Sequence, residues 1–223
     1  MPANYEVITF DCYGTLIDWE GGIANAFADV ARAERVALDA ERALIDYHHI
    51  EPQVEAEQFR LYHAVLAETA RRAVALQGWQ MSEAVAQRFA DSLPQWTPFP
   101  DTNGALERLA KAGYRLGILS NVDTALLQAT LRHFTVPMDF IVTAQQVGSY
   151  KPAHAHFKRA RTLIGDQPWL HAAQSHFHDV VPATALGIPV VWVNRKQEAL
   201  PAGGPAPLAQ VPTLAALADW LGA

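Results

Sequence analysis

The chain of 223 residues contains a single cysteine, Cys12, and no long apolar run. One cysteine cannot form an internal disulfide, so the sequence is not a disulfide scaffold and fits a reducing compartment. A membrane-spanning helix needs about 18 consecutive apolar residues, and no stretch reaches that length. The first ten residues also lack the basic and long apolar segments of a signal peptide. We therefore expect a cytoplasmic protein that does not bind a membrane.

Positive charge is also scarce. The sequence has 17 Lys and Arg residues against 23 Asp and Glu residues, which gives a formal net charge of −6. A nucleic-acid-binding protein needs a basic surface, so we expect no nucleic-acid partner. Half of the residues are apolar and 18% are charged, which at this length allows one core, or a core domain with a small accessory domain. The expected partner is a small-molecule substrate, and a homodimer stays open.

Short apolar segments alternate with helical patterns over most of the chain. The segments predicted as strands are Val7–Phe10, Tyr114–Leu119, Phe140–Thr143, Trp169–Ala173 and Val190–Val193. From the second strand onwards they are separated by amphipathic helices, several of which end at glycine. Strands that alternate with helices indicate an α/β fold with a Rossmann-like parallel sheet. A segment rich in Pro, Gly and Ala, residues 200–212, is predicted to be a loop.

Residues 19–96 differ from the rest of the chain in composition and in the spacing of apolar residues. Apolar residues recur at helical spacing, Ala, Glu, Arg and Gln dominate, and Pro52 is the only proline between Pro2 and Pro94. This pattern predicts a helical domain over 19–96, inserted into a core domain made of residues 1–18 and 97–223. Because the insertion follows the first strand directly, it emerges at the sheet edge where ligands bind and is placed to act as a lid.

Polar side chains follow four of the predicted strands. The carboxyl ends of parallel strands open on one edge of a sheet, so these side chains should lie close together. They supply two carboxylates, a hydroxyl, an amide and an ammonium, which is a suitable set for nucleophilic catalysis. The five residues are Asp11, Ser120, Asn121, Lys151 and Asp179.

The segments around these residues resemble the four motifs of the haloacid dehalogenase superfamily. Residues 10–16 (Phe-Asp-Cys-Tyr-Gly-Thr-Leu) resemble the first motif, 119–121 (Leu-Ser-Asn) the second, and 150–152 (Tyr-Lys-Pro) the third. The stretch around Asp179 resembles the fourth. All four stand in the order of the superfamily, and the helical insertion of 19–96 lies where that superfamily carries its cap domain.

The resemblance implies a role for each matching residue. Asp11 would be the nucleophile and would form a covalent ester that water then hydrolyses. Thr15 would orient Asp11, and Lys151 would keep it ionised, since a neighbouring ammonium lowers the pKa of a carboxyl group. Ser120–Asn121 would contact the anionic part of the substrate or the leaving group. Asp179 would orient or deprotonate the hydrolytic water.

One position separates phosphatases from dehalogenases in this superfamily. Phosphatases carry a second Asp where this sequence has Tyr13, and that Asp protonates the leaving alcohol and helps to bind Mg²⁺. A phenol with a pKa of about 10 is a poor acid near neutral pH, whereas a halide leaves without a proton. Residues 174–179 contain only one acidic side chain, Asp179, although Mg²⁺ requires several oxygen anions. We therefore predict chemistry without a cofactor; Mg²⁺ is expected only in the phosphatase alternative.

These features together resemble the type II 2-haloacid dehalogenases, which implies hydrolysis of a small 2-haloacid to a 2-hydroxy acid. The match is incomplete, because Gln174 and His176 stand where that subgroup carries Ser and Asn. The cap of the subgroup supplies an arginine for the halide or the carboxylate of the substrate. Arg42 is our candidate by its distance from Asp11 along the chain, and Arg60 is the second.

The substrate-facing surface is expected to be small and apolar. Tyr13, with Trp19, Trp96 and Phe99, could form an apolar wall around a substrate, or these rings could fill the interface between core and cap. Two other functions stay open: a Mg²⁺-dependent phosphatase of small phosphate esters, and a catalytically idle homologue that serves as a binding protein.

Overall fold

The computed structural model of the protein describes residues 5–223, and its centre is a sheet of six strands. The strands are β1 (Val7–Phe10), β2 (Arg115–Ser120), β3 (Phe140–Thr143), β4 (Trp169–Ala173), β5 (Val190–Val193) and β6 (Ala209–Val211). Their order across the sheet is β3-β2-β1-β4-β5-β6, and every pair is parallel. The predicted α/β fold with a parallel sheet is confirmed.

The central strand β1 is buried on both faces because helices cover both sides of the sheet. Ile8 and Phe10 pack into a cluster that includes Leu106 of a helix preceding β2, whereas Val7 packs with Phe157 of a helix preceding β4. Strands buried in this way are near-continuous apolar runs, which is why the short segment of β1 is recognisable in the sequence. The register pairs Ile8 with Leu116 of β2 and with Leu170 of β4.

Helices connect the strands. Those of the sheet region are α5 (Thr102–Lys111), α6 (Thr124–Thr130), α7 (Ala144–Val147), α8 (Ala155–Ile164), α9 (Val181–Ala185) and α10 (Leu214–Leu221). Between β1 and β2 lie α1 (Trp19–Glu34), α2 (Ala40–Ala56), α3 (Tyr62–Ala75) and α4 (Glu83–Asp91). The helical segment after β1 is therefore where the sequence pattern indicated it. None of the helices in residues 5–223 is both long and apolar enough to cross a membrane.

The loop prediction for residues 200–212 is wrong in part, because Ala209–Val211 form β6 at the edge of the sheet. Val191 of β5 pairs with Ala209, and only Val211 of β6 is buried. A three-residue strand is too short to produce an alternating pattern, so its pairing with β5 is visible only in the tertiary structure.

The first two helices of the insertion begin at a capping aspartate, and the third does not. Asp18 accepts a hydrogen bond from the Gly21 N–H at the start of α1, and Asp39 accepts one from the Arg42 N–H at the start of α2. Helix α3 has no such residue of its own. Its first N–H groups, those of Tyr62 and His63, donate to the two carboxylate oxygens of buried Asp123 at 2.8 and 2.9 Å.

Asp123 follows β2, so this contact attaches the inserted helices to the sheet edge and satisfies N–H groups that a helix start leaves unpaired. The division into a core of residues 1–18 and 97–223 and a cap of residues 19–96 stays a prediction. Residues 1–4 of that core lie outside the described residues.

Candidate active site

Three charged side chains meet at the carboxyl edge of the sheet. Lys151 Nζ lies 2.9 Å from Asp11 Oδ1 and 2.6 Å from Asp179 Oδ1, and it also donates to the Leu119 carbonyl at 2.9 Å. All three side chains are buried. An ammonium has three hydrogens, so Lys151 has committed each of them. The structure thus brings together the two carboxylates and the ammonium that follow different strands in the sequence.

The nucleophile candidate Asp11 is held at both oxygens. Its Oδ2 accepts a hydrogen bond of 2.9 Å from the Thr15 hydroxyl, which in turn accepts one from the Gln174 N–H. Gly14 has a φ of +89°, a backbone conformation that favours glycine, and it turns the chain so that Thr15 faces back to Asp11. The sequence-predicted pair of Asp11 and Thr15 is therefore in contact.

Burial and charge act in opposite directions on this cluster. Burial raises the pKa of the Asp11 carboxyl, and Lys151 opposes that effect. Burial disfavours the charged form of Lys151, but Asp11 and Asp179 outweigh it and raise the pKa of the ammonium. Burial likewise opposes ionisation of Asp179, but Lys151 and His171 outweigh it and lower the pKa of that carboxyl to about 2. One ammonium thus neutralises one of two adjacent buried carboxylates.

A hydrogen-bonded chain lies behind Asp179. His171 Nε2 is 3.0 Å from Asp179 Oδ1, His171 Nδ1 is 2.8 Å from the Thr9 hydroxyl, and Trp169 Nε1 donates to that hydroxyl at 2.7 Å. A neutral imidazole with its hydrogen on Nε2 satisfies every donor and acceptor in this chain. His171 is not among the residues predicted from the sequence. Its signal was a histidine inside an otherwise apolar strand.

Ser120 and Asn121 differ in what they offer a ligand. The Asn121 amide accepts from the Lys151 N–H at 2.7 Å and donates to the Lys151 carbonyl at 3.1 Å, so it fixes the loop that carries Lys151. The Ser120 hydroxyl is buried, with 1% of the residue exposed, and has no hydrogen-bond partner in the described residues. Ser120 also lines the cavity in front of Asp11.

Tyr13 lines the same cavity, but its hydroxyl is engaged elsewhere. The hydroxyl forms a 2.8 Å hydrogen bond with Thr130 of α6, and the ring packs edge-on against Trp96. Burial raises the pKa of the phenol well above its ordinary value. Tyr13 is consequently a poor acid for a leaving group, as its position in the first motif indicated.

The cavity in front of Asp11 has a volume of about 870 Å³ and extends from the strand ends to the inserted helices. Trp19, at the start of α1, forms part of its wall. Helix α2 contributes His48, Glu51, Pro52 and Glu55, whose spacing of three and four residues defines one helix face. This α2 face is the part of the cap region that a substrate beside Asp11 would meet.

Neither arginine predicted to bind substrate lies in this cavity. Arg42 is in the first turn of α2, with 62% of its side chain exposed, and its guanidinium pairs with Asp46 at 3.1 Å. Six residues separate it from His48, which is a rotation of about 240° around a helix and points it away from the α2 face. Arg60 pairs with Glu57 at 2.6 Å. Distance along the chain from Asp11 does not report helix rotation, so the structure corrects the assignment of Arg42.

Two glutamates of α2, and neither Arg42 nor Arg60, line the cavity. Glu51 Oε1 accepts hydrogen bonds from the Tyr47 hydroxyl at 3.1 Å and the Tyr62 hydroxyl at 2.7 Å. Burial raises the pKa of Glu51, and burial together with Glu51 raises the pKa of Glu55 to about 9. His178 Nε2 lies 4.0 Å from Glu55, beyond hydrogen-bond distance. Burial lowers the pKa of the His178 imidazole to about 4. Neither glutamate was predicted from the sequence, because two Glu residues four apart also occur on solvated helix faces.

The other cations that line the described part of the cavity are paired. Arg195 donates to the Thr15 carbonyl at 2.9 and 3.1 Å and pairs with Asp101 at 3.0 Å. Lys196 pairs with Glu20 at 2.5 Å. Together with Lys151, these are the lysines and arginines of the cavity wall. A bound anion would have to compete with an existing partner for each of them.

The residues at the strand ends do not fit a divalent metal. Within residues 5–223, no group of three or more His, Cys, Asp or Glu side chains is arranged to hold a metal ion. The Lys151 ammonium lies between Asp11 and Asp179, the two carboxylates that a Mg²⁺ ion would need, and a cation repels a second cation there.

A parallel sheet that carries a buried carboxylate–ammonium cluster beneath inserted helices defines an α/β enzyme. The model of the haloacid dehalogenase-like hydrolase family matches residues 5–173, and the chain belongs to this family of hydrolases.

Similarity to known proteins covers nearly the whole chain. An (S)-2-haloacid dehalogenase of Pseudomonas putida is 26% identical, over 98% of this chain and 97% of that protein. The crystal structure of a defluorinating L-2-haloacid dehalogenase superposes with a TM-score of 0.83 at 25% identity, over 99% of this chain and 96% of that one. A glyceraldehyde 3-phosphate phosphatase of Methanothermobacter thermautotrophicus is 33% identical, but over only 44% of this chain and 45% of that protein.

Proposed function

We propose that the protein is a hydrolytic dehalogenase that displaces halide from C2 of a small 2-haloacid-type substrate through a covalent ester of Asp11. The observation that carries this proposal is Asp11 itself. Its carboxylate is fixed at both oxygens by Lys151 and Thr15 and faces the cavity between the sheet edge and the inserted helices. The full-length similarity to proteins named as 2-haloacid dehalogenases supports the choice of reaction.

In the first step, an oxygen of Asp11 attacks C2 of the substrate. A carbon–oxygen bond forms as the carbon–halogen bond breaks, and the electron pair of that bond leaves with the halide. A carboxylate is a weak nucleophile unless it is positioned and removed from bulk water. Thr15 and Lys151 position it, and the buried surroundings exclude water.

In the second step, water hydrolyses the ester at the Asp11 carboxyl carbon. The substrate oxygen takes one proton to become a hydroxyl, the second proton is released, and the Asp11 carboxylate is regenerated. We assign the orientation of this water to Asp179, because its Oδ2 is buried and has no hydrogen-bond partner among residues 5–223, whereas Oδ1 is held by Lys151 and His171.

No metal takes part in this proposal. Lys151 supplies the positive charge beside Asp11, and Tyr13 stands where the phosphatases of the superfamily have their acid. The phosphatase alternative is distinguished by measuring halide release and phosphate release on substrate panels, each with and without EDTA. Halide release that survives EDTA supports the dehalogenase; phosphate release that needs Mg²⁺ and reaches about 1–1,000 s⁻¹ supports the phosphatase instead.

The covalent step is tested by a single turnover in ¹⁸O-labelled water with enzyme in excess over 2-chloropropionate. We expect the label in the Asp11 carboxylate, identified by mass spectrometry of the peptide, and unlabelled oxygen in the product. The Asp11→Asn variant is the control and should release no halide. Label that enters the product in the first turnover would mean direct attack by water and would end the proposal.

The remaining expectations fit this reaction. We propose a small molecule as the only substrate class, residues 19–96 as a lid that excludes water from the Asp11 ester, and the cytoplasm as the compartment. Cys12 is buried and unpaired, which agrees with a reducing environment. A catalytically idle binding protein would have no chemical need for Asp11, Thr15 and Lys151 in contact.

A further inference from the structure

Glu55 occupies the side of the cavity towards which a leaving group departs from Asp11. In a displacement at carbon, the attacking oxygen, C2 and the halogen stand in line, so the halide leaves on the side of C2 away from Asp11. The cavity extends from the strand ends to the inserted helices, and Glu55 lines it from α2. His178 Nε2, in the segment after β4, lies 4.0 Å from Glu55 Oε2, so this glutamate reaches across to the strand ends.

The described part of the cavity wall offers this halide no unpaired cation. Its lysines and arginines are Lys151, Arg195 and Lys196, and each already pairs with a carboxylate. His48 likewise pairs with Glu20 at 2.8 Å. Stabilising the negative charge that develops on the halide therefore falls to an uncharged hydrogen-bond donor.

Glu55 is the glutamate of the α2 face that keeps its proton. It lies one helical turn from Glu51 with 11% of its side chain exposed, and carboxyl groups that share such a site do not all ionise. The Tyr47 and Tyr62 hydroxyls both donate to Glu51 Oε1, which favours its ionised form, whereas Glu55 accepts no hydrogen bond within residues 5–223. Burial and Glu51 raise the pKa of Glu55 to about 9, so near neutral pH it carries a hydrogen for a ligand.

We propose that Glu55, as an uncharged carboxylic acid, donates a hydrogen bond to the halide as it leaves C2, the role predicted for Arg42. This inference rests on the proposed function, since it concerns the first step at Asp11. The Asp11 oxygen bonds to C2 while the carbon–halogen bond breaks, the halide takes the electron pair and accepts the hydrogen bond, and Glu55 retains its proton. An ionised Glu55 has no hydrogen to donate and repels the halide.

A Glu55 donor makes halide release depend on pH. The donor is present below the pKa of Glu55, so kcat/KM is full near neutral pH and falls as the pH rises through about 9. The other titratable groups around Glu51 and Glu55 are Tyr47 of α2, Tyr62 of α3, Tyr150 and Lys151 of the loop before α8, and His178 after β4. The pKa values of the phenols and of Lys151 are raised, and that of His178 is lowered to about 4. A decrease near pH 9 therefore belongs to the glutamate pair.

The test measures kcat and KM for halide release from 2-chloropropionate by the full-length protein between about pH 6 and pH 10. Glu55→Gln keeps an uncharged N–H donor and should retain most of the activity at pH 7 while losing the alkaline decrease. Glu55→Leu removes the donor and should lower kcat by about tenfold to a hundredfold with little change in KM, because the charge on the halide develops only in the transition state. Glu41→Gln, at an exposed position in the first turn of α2, is the matched control and should keep the wild-type profile.

The outcomes separate this inference from the proposed function. A wild-type profile that stays flat to pH 10, or an alkaline decrease that persists in Glu55→Gln, overturns the donor role and leaves the dehalogenase intact. A Glu55→Leu protein with wild-type kcat does the same, and a loss confined to KM would place Glu55 at the carboxylate of the substrate instead of the halide. No halide from the wild type, with a protein that unfolds cooperatively on heating, overturns both. The wild-type profile needs no variant, so a Glu55→Leu protein that fails to fold does not remove the test.

Discussion

Lys151 is the residue on which the whole cluster depends, and Lys151→Met tests that dependence. Methionine keeps an unbranched apolar stem of similar length but removes the ammonium. The carboxylates of Asp11 and Asp179 then face each other with their nearest oxygens at most about 5.5 Å apart, buried and without a counter-charge. We expect loss of halide release together with a large loss of stability near neutral pH.

The magnitude follows from the burial of the pair. Removing one partner of a buried ion pair costs about 3–5 kcal/mol, because the remaining charge is left uncompensated. In the wild type, Asp179 has a pKa of about 2 against an ordinary value of 3.8, which corresponds to about 2 kcal/mol of stability from that group. That contribution is present above the ordinary value and is lost as the pH falls through about 2.

The variant should reverse this pH dependence. Without Lys151, burial raises the folded-state pKa of the two carboxyls above their unfolded values, so protonation stabilises the fold. The added stability is present below the unfolded pKa near 4 and is lost as the pH rises through the raised folded value. Glu51 and Glu55 have raised pKa values in both proteins, so Lys151→Met should lose more stability between pH 4 and pH 7 than the wild type does.

The assay is urea unfolding followed by tryptophan fluorescence at several pH values between 4 and 8. Lys158→Met, at an exposed position of α8, is the control and should match the wild type within about 0.5 kcal/mol. A Lys151→Met protein that loses less than about 1 kcal/mol at pH 7, or whose stability has the same pH slope as the wild type, would refute the electrostatic reading of the cluster.

Three further predictions test other contacts. Thr15→Val removes the hydrogen bond to Asp11 Oδ2 and should lower kcat/KM by about tenfold to a hundredfold, whereas Thr15→Ser should retain activity; equal rates in all three proteins would contradict the orienting role. Asp123→Ala leaves the first N–H groups of α3 without acceptors and should cost about 1–2 kcal/mol; unchanged hydrogen exchange at those amides would disprove this attachment of α3. Dialysis against EDTA should leave halide release intact, because Lys151 occupies the position between the carboxylates, and a rate restored only by Mg²⁺ would reverse that conclusion.

Much of the fold was predictable because its signals are local. Five of the six strands are short apolar segments, and the alternation with helices implied parallel pairing. That pairing also explains why Asp11, Lys151 and Asp179 meet, since each follows a strand whose carboxyl end opens on the same edge. The prediction that these residues lie close together required only that their strands be parallel and near one another in the sheet.

The sequence by itself determined which residues reach the sheet edge, and the tertiary structure decided what faces them across the cavity. The side of α2 that faces Asp11 depends on how the inserted helices pack against the sheet edge. One contact that holds them there joins Asp123 to the first N–H groups of α3, and Asp123 lies about sixty residues from α3 along the chain. The periodicity of apolar residues shows which side of a helix is buried, but it does not show which residues of the helix line the active-site cavity. For that reason Arg42 was a reasonable candidate in the sequence, while in the structure Glu51 and Glu55 line the cavity in front of Asp11.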